Sequence, residues 1–187
     1  MRIFLISACI VLCLCGCLTF EHSLRFTDAD GLLMGYAYSY STEDETALKA
    51  GMEELGLAWR FYDEQSVRAY FAEKKLEVAR YRKISKGGRT SIEISVMTRN
   101  FSKSLADGVF PEIELTRGKV NTLSMRVGEI SPDADKRLKM LCPEFKASLL
   151  VSVPGTIRET NGRKISKDTA TWEYTPGGTV VSPTVSW

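Results

Sequence analysis

Regular alternation of apolar and polar residues is the feature that most restricts the fold of this 187-residue chain. The alternation is clearest where Ile92, Ile94 and Val96 are separated by polar residues, because a β-strand turns successive side chains to opposite faces. Turn-forming residues separate several such segments, so neighbouring strands are expected to pair as antiparallel hairpins. The predicted strands are Thr19–Thr27, Leu32–Tyr40, Leu76–Ser85, the strand around Ser91–Val96, Glu112–Thr116, Val120–Gly128, Lys146–Val153 and Thr169–Tyr174.

Helical segments interrupt these strands and make the chain an α+β protein. Thr42 and Glu45 form a capping box at the start of the first helix. Its apolar stripe consists of Leu48, Met52, Leu55 and Trp59. Further helices are expected from Asp63, over Asn100–Asp107 and over about 132–141. Because hairpins join neighbouring strands, we predict a mainly antiparallel sheet with helices packed on one face and solvent or a partner on the other.

Composition limits the class of protein further. Hydrophobic residues make up 44% of the chain, which is enough apolar surface for a folded core and excludes a disordered chain. The formal net charge is only +2, and a nucleic-acid-binding domain would carry a strong basic surplus. We therefore expect one folded domain that does not bind nucleic acid.

The first sixteen residues predict an export signal. Arg2 precedes an apolar run over residues 3–14, which has the length of a signal-peptide core and is too short to span a membrane. The run ends in Leu14-Cys15-Gly16-Cys17, which resembles the lipobox of bacterial lipoproteins. This resemblance implies cleavage between Gly16 and Cys17 and a diacylglycerol thioether on Cys17. The alternatives are an uncleaved signal anchor and a metal site built from the Cys-x-Cys-x-Cys pattern.

A lipid on Cys17 would place the protein on the extracytoplasmic side of a bacterial membrane. In the familiar sorting rule, an Asp after the acylated cysteine retains a lipoprotein in the inner membrane. Leu18 stands at that position, which favours the outer membrane where the cell has one. We therefore expect a palmitate-containing lipid as the modification of Cys17 and the membrane as the partner that it binds. The sequence does not indicate the oligomeric state.

A pattern near the C-terminus resembles a known family. Val151–Gly162 combines a strand, a Pro-Gly and an Asn-Gly, and Lys167–Tyr174 contains Thr-x-Thr-Trp-x-aromatic. Together with the lipobox and the order of hairpins and helices, this pattern resembles the LppM-like domain of bacterial envelope lipoproteins. The resemblance implies an α+β domain over residues 17–175 that engages lipids and carries no catalytic residues. Residues 176–187, rich in Gly and Pro, are expected to form a loose tail.

The same residues carry local predictions. Pro154 should stop a strand, since it lacks an N–H for the ladder. Asn161-Gly162 is typical of a type I′ hairpin turn, which requires positive φ angles. Trp172 and Tyr174 share one face of the last strand, which is consistent with packing or with stacking on a ligand.

Residues that commonly carry catalysis are sparse. His22 is the only histidine, so neither a histidine metal site nor a nucleophile–base pair has the partners it needs. We interpret His22 as a surface or hydrogen-bonded residue. Cys142 is interpreted as a buried small residue, with an intermolecular disulfide as the alternative. We expect no enzymatic activity, no cofactor and no metal.

Two surfaces are candidates for binding. Tyr36, Tyr38 and Tyr40 share one strand face and, with Trp59, would suit a sugar, a lipid headgroup or a protein; packing against a helix is the alternative. The basic side chains of one hairpin are Arg80, Arg82, Lys83, Lys86 and Arg89. They would suit anionic lipid or polymer, or would simply be solvated.

These observations predict a membrane-anchored envelope lipoprotein that is not an enzyme and binds an envelope component, either a lipid-like ligand or glycolipid or another protein. The alternative is a structural or assembly-supporting interaction module with no small ligand. A pocket between the sheet and the helices, lined by Tyr36, Tyr38 and the Trp59 stripe, would favour the first hypothesis. A solid core at that place would favour the second.

Overall fold

The computed structural model describes residues 18–27, 30–43, 45–46, 63–128 and 130–187. Within these ranges the strands are β1 (Thr19–Phe26), β2 (Leu32–Ser41), β3 (Glu77–Lys86), β4 (Arg89–Thr98), β5 (Ile113–Thr116), β6 (Thr122–Met125), β7 (Lys146–Ser152), β8 (Glu159–Thr160), β9 (Arg163–Lys164), β10 (Thr169–Tyr174) and β11 (Thr184–Ser186). The helices are α1 (Glu64–Glu73), α2 (Phe101–Ala106) and α3 (Pro132–Leu141).

Seven strands form the larger sheet, in the order β3-β4-β2-β1-β7-β10-β9. The hairpins β1–β2, β3–β4 and the pair β7–β10 are antiparallel, whereas β1 and β7 run parallel. The predicted α+β fold with a mainly antiparallel sheet is confirmed. The parallel pair joins strands that are far apart in sequence and places β1 in the middle of the sheet.

Strand register divides this sheet into an inner and an outer face. Leu24 lies opposite Met34 on β2 and opposite Val151 on β7, and all three side chains are at most 2% exposed. The alternating side chains of the same strands form an outer face that is rich in Ser and Thr. This division follows from the two-residue period of a strand, and it confirms the predicted half-buried sheet.

Helices and the C-terminus cover the inner face. The ring of Phe71 on α1 lies 5.8 Å from that of Tyr36. The ring of Phe101 on α2 lies 5.1 Å from that of Phe26, which Trp187 approaches at 6.4 Å. The predicted packing of helices on one face is therefore correct for α1 and α2.

The helix starts follow the capping signals in the sequence. Asp63 caps α1 by accepting a hydrogen bond from the backbone N–H of Ser66 at 2.8 Å. Asn100 and Ser131 cap α2 and α3 in the same way. These side chains accept hydrogen bonds from N–H groups that have no partner within the helix. The predicted helix beginning near Thr42 lies outside the described residues, apart from 45–46, which are helical.

The expected loose tail is wrong for the last residues. β11 lies between β6 and β8 in a second, four-stranded sheet of order β5-β6-β11-β8, and Val185 is 1% exposed. The Pro and Gly residues of 176–183 do mark irregular chain. These residues masked the short alternating segment Thr184–Ser186. The burial of Val185 and the pairing of β11 with both β6 and β8 stabilise this strand.

The predicted hairpin at Asn161-Gly162 is also wrong. Neither residue has a positive φ, and the strands on either side pair with different sheets, β8 with β11 and β9 with β10. The dipeptide is instead the place where the chain crosses from the small sheet to the large one. The Asn-Gly dipeptide correctly indicated a change in the direction of the chain. The predicted pairing of its two flanking strands with each other was incorrect.

A candidate ligand-binding groove

An apolar groove of about 640 Å³ lies between the inner face of the large sheet and the chain segments flanking β6 and β11. Among the described residues, Phe20, Leu149 and Trp172 line it from the large sheet. Met125, Val127 and Val181 line it from the other side. The groove thus has an aromatic and aliphatic wall on each side and belongs to no single hairpin.

Strand register explains why these large-sheet residues meet. Leu149 on β7 lies opposite His22 on β1 and opposite Trp172 on β10. Residues two apart on a strand share its face, so Phe20 and Ala147 extend the same surface towards the start of β1. The groove therefore occupies the end of the inner face opposite to the one that Phe26 and α2 fill.

Asn161 holds the two walls of the groove together. Its Oδ1 accepts hydrogen bonds from the indole Nε1–H of Trp172 and from the backbone N–H of Thr184, each at 2.9 Å. Its Nδ2 donates to the carbonyl oxygen of Ser182 at 2.9 Å. One side chain thus links the large sheet to the segment that ends in β11, and it fixes the indole that lines the groove.

Gly162 packs directly against the same indole ring. A Cβ at this position would lie 2.5 Å from Cε2 of Trp172, which is closer than non-bonded carbon atoms come. Glycine is needed here for close approach and not for a positive φ. The Asn161-Gly162 and Trp172 elements of the sequence pattern are therefore parts of one tertiary contact.

His22 borders the groove with an unusual environment. Its ring stacks on Tyr36, with ring centroids 4.4 Å apart and an interplanar angle of 12°. Its Nε2 is shielded from solvent and has no hydrogen-bond partner among the described residues. Burial lowers the pKa of His22 to about 4, because an imidazolium would lose its hydration there. The expected surface or hydrogen-bonded histidine is therefore wrong, and the ring is neutral at pH 7.

The end of the groove near Tyr174 is fixed by α3. The hydroxyl of Tyr174 donates a hydrogen bond to Oδ1 of Asp135, which also accepts from the backbone N–H of Gly177 at 2.9 Å. These hydrogen bonds lower the pKa of Asp135 below its usual range, and burial with the same contact raises the pKa of Tyr174 to about 12. A charged carboxylate therefore ties the first turn of α3 to the chain after β10.

The predicted tyrosine face is real, but it lies beside the groove. Tyr36 and Tyr38 are half-buried next to His22 and Phe20, the ring centroids of Phe20 and Tyr38 being 5.0 Å apart. Tyr40 is fully buried in the core. The tyrosines are not among the described residues that line the groove, so their role in ligand binding stays a prediction.

Other predicted positions fall outside the described residues. Gly16, Cys17 and Trp59 are among them, so the cleavage site, the lipid anchor and the expected aromatic stripe stay predictions. Cys142 is buried, at 3% exposure, as the sequence predicts.

The basic hairpin is partly paired with acceptors. Lys83 forms an ion pair of 3.2 Å with Glu45, and Arg89 donates to the hydroxyl of Ser39. Most of the cationic side chains lie on β3, the edge strand of the large sheet. Charge on an edge strand discourages pairing with another chain, which accounts for these residues without a ligand.

The described ranges contain neither a metal-binding cluster nor a membrane-spanning helix. These residues contain no group of three His, Cys, Asp or Glu side chains placed to hold a metal ion. None of the helices in this part of the chain combines the length and apolar character needed to cross a bilayer.

The sequence indicated only part of this groove. Trp172 stood out because of the pattern around it, whereas Phe20, Leu149 and Val181 did not. Their grouping depends on the parallel pair β1–β7 and on the position of the C-terminal segment, and neither leaves a local signal in the sequence.

The arrangement defines a class of fold: an α+β domain in which a large, mostly antiparallel sheet and a small second sheet border an apolar groove. Among solved structures, the chain is similar to the folded domain of the LppM protein of Mycobacterium tuberculosis, determined by NMR. The TM-score is 0.53, the identity 16%, and the match covers 92% of this chain and 90% of that one. The LppM-like fold expected from the sequence is therefore confirmed as a fold. No protein-family model and no curated protein matches the sequence.

Proposed function

We propose that this protein is a membrane-anchored envelope lipoprotein without enzymatic activity, which binds the apolar part of a lipid-like envelope component in its groove. The observation that carries this proposal is the apolar groove between the two sheets. Its volume of about 640 Å³ lies within the usual range for small-molecule sites.

The chemistry of the groove favours an apolar ligand. Aromatic side chains at Phe20 and Trp172 and aliphatic ones at Leu149 and Val181 offer dispersion contacts to such a ligand. The lining also includes two acidic and two basic residues, which suit a polar headgroup: Glu112, Arg126, Arg163 and Glu173. His22, which is neutral at pH 7 because of its lowered pKa, adds little polarity beside them. Each methylene of an acyl chain transferred from water into such a site contributes about 0.8 kcal/mol.

The anchor is supported by the sequence and suits the same role. Acylation of Cys17 would hold the domain at a membrane surface, where lipids are the most abundant ligands. Labelling of cells with a palmitate analogue tests this part of the proposal. Cys17→Ala should abolish the label and leave an unprocessed precursor, and labelling that survives the substitution would contradict the anchor.

Lipids that co-purify with residues 18–187 in the absence of detergent test the groove. Mass spectrometry of an organic extract should detect a lipid at near-stoichiometric amount. Leu149→Trp should fill the groove and reduce that amount about tenfold, since a loss of about 1.4 kcal/mol in binding free energy has this effect. Leu150→Trp, the next residue of β7 on the outer face, is the matched control.

Three results separate the outcomes. Retention of lipid by the native chain and Leu150→Trp, with loss in Leu149→Trp, supports the groove as the site. A native protein without lipid, or equal lipid in both variants, contradicts the proposal. Circular dichroism and an unfolding midpoint would first establish that both variants fold.

An interaction module without a small ligand is the second candidate. It is favoured by the exposure of two apolar residues of the groove wall, Val127 at 41% and Val181 at 44%. If this candidate is correct, Val181→Glu should abolish cross-links between this protein and an envelope protein in cells. A native domain that purifies without lipid would count against the first candidate.

A further inference from the structure

The sequence leaves no spacer between the proposed anchor and the folded domain. Leu18, the residue after Cys17, is 1% exposed, and its carbonyl oxygen accepts a hydrogen bond from the backbone N–H of Lys146 at 3.2 Å. Thr19 already pairs with both neighbouring strands. The chain is therefore held in the large sheet from the first residue after the anchor.

A tether of this length restricts where the domain can lie. Even in a fully extended chain, two residues span only about 7 Å, so the start of β1 must stay within that distance of the acylated residue. A flexible linker would allow the domain to move away from the membrane and to tumble. Here that freedom is excluded, because Leu18 is part of the core and Thr19 is paired on both sides in the sheet.

The strand register identifies which end of the sheet lies at the anchor. Thr19 is opposite Ser39 on β2, and Ser41 on β2 is opposite Arg89 on β4. The tight turn from β3 to β4 at Gly87-Gly88 is thus at this end, as is the start of β7 at Lys146. We call this the anchored end of the sheet.

The opposite end is set by the turn between β1 and β2. Arg117, in the connection from β5 to β6, bonds to Asp30 in that turn, so residues 117–121 lie at the far end. β2 has ten residues, and at about 3.3 Å per residue the two ends are separated by roughly 30 Å.

The charges of the anchored end are nearly balanced. Lys86, Arg89 and Lys146 lie at this end, and the acidic residues Glu43 and Glu144 lie next to its strands along the chain. Lys83 is already paired with Glu45. A tight association with anionic lipid would need a clear basic surplus, so the short tether and not charge attraction must determine this contact.

We propose that the anchored end of the sheet docks directly on the headgroup layer of the membrane that holds Cys17. This docking rests on the proposed lipid anchor. It places the Phe20 end of the groove, two residues beyond Leu18, next to the same leaflet. A lipid from that leaflet would then reach the groove without first crossing water.

Short-range fluorescence quenching tests the orientation. The full chain, acylated in cells and purified, is reconstituted into neutral phosphatidylcholine vesicles that contain a headgroup spin label. A thiol-reactive fluorophore is placed at Lys86→Cys, at the anchored end, or at Lys119→Cys, at the far end. Cys142 is only 3% exposed and does not compete for the label.

The label at position 86 should be quenched at least about threefold more than that at 119, given their separation of roughly 30 Å. Insertion of a ten-residue Gly-Ser linker between Cys17 and Leu18, with a reach of roughly 17 Å, should abolish the difference. Addition of anionic lipid should leave the native ratio unchanged.

Equal quenching at the two positions in an acylated protein would overturn the docking alone, and so would a linker variant that behaves like the native chain. A ratio that appears only with anionic lipid would likewise overturn tether-controlled docking. A purified chain without palmitate would overturn the proposed anchor and the docking together, so the two failures are distinguishable.

Discussion

At the scale of single residues, the fold depends on a tertiary contact between Asn161-Gly162 and Trp172 that the sequence pattern did not reveal. Asn161, Gly162 and Trp172 appear in the sequence as a turn followed by a strand. In the structure they form one tertiary contact that closes the groove. Local turn statistics could not have revealed this role, because an amide side chain and a missing Cβ serve a turn and a tertiary contact equally well.

The closeness of Gly162 to Trp172 gives the first prediction. Gly162→Ala places a methyl group where the indole lies, so the ring must move and the hydrogen bond to Asn161 must weaken. We expect a destabilisation of about 1–3 kcal/mol, which is usual for overpacking. Chemical denaturation measures it, and near-ultraviolet circular dichroism should report the displaced indole.

Gly118→Ala is the matched control for this substitution. Its Cβ would make only an ordinary contact, at 3.7 Å from a carbonyl oxygen, in a turn far from the groove. Stability should change by less than about 0.5 kcal/mol. If Gly162→Ala were equally neutral, the contact between Gly162 and Trp172 would not be tight in solution.

The single histidine gives a pH prediction. The pKa of His22 is about 4 in the folded protein, against 6.5 for an ordinary histidine. The unfolded chain therefore binds more protons between these values, and the free energy of unfolding must fall as the pH is lowered through this window. Between pH 7.5 and 5 the loss should be roughly 1–2 kcal/mol, measured as the denaturation midpoint at each pH.

His22→Phe is the control for that titration. It keeps an aromatic ring to stack on Tyr36 and removes the only side chain that ordinarily titrates between pH 5 and 8. The stability of the variant should be nearly constant over this range. A variant that loses as much stability as the native protein would show that another group is responsible.

At the scale of elements, the contact between α3 and β10 should control how the end of the groove is held. Asp135→Asn removes the charge that Tyr174 and Gly177 stabilise by hydrogen bonding, so the unfolding midpoint should drop by a few degrees at pH 7. Because the pKa of Asp135 is lowered in the folded state, the native advantage is present at neutral pH. It should disappear as the pH falls through that pKa.

Asp133→Asn serves as the control in the same turn of α3. Asp133 shares the favourable position near the helix N-terminus, and it is exposed. If the two substitutions lowered the midpoint equally, the effect of Asp135 would be that of a general charge near a helix end, and its contact with β10 would not matter.

The elements differ in how far the sequence predicts them, and the reason is the distance along the chain. The hairpins β1–β2 and β3–β4 and the helices α1, α2 and α3 depend on neighbours only a few residues away, and they were predicted. The pairing of β1 with β7 and the second sheet join segments that are far apart. β11 was missed because three residues carry too little periodicity to be distinguished from a loop.

At the scale of the whole molecule, the groove follows from those long-range pairings. β1, β7 and β10 bring Phe20, Leu149 and Trp172 onto one face, and the C-terminal segment supplies Val181. The class of fold could be inferred from alternation and from the pattern near the C-terminus. The site could not, because its walls come from opposite ends of the sequence.

The central claim is that an apolar ligand occupies this groove. The most direct measurement is a titration of residues 18–187 with lysophosphatidylcholine, below its micelle concentration, followed by two-dimensional ¹H–¹⁵N NMR. Because the indole N–H of Trp172 gives its own signal, it reports on the groove independently of the backbone.

We predict saturable shifts that are largest at the indole N–H of Trp172 and at the backbone amides of Leu149 and Val181. The smaller depression near Asp30 and Trp187, at the far end of the sheet, should show little change. An absence of saturable shifts, or shifts concentrated at the Asp30 end, would contradict the account.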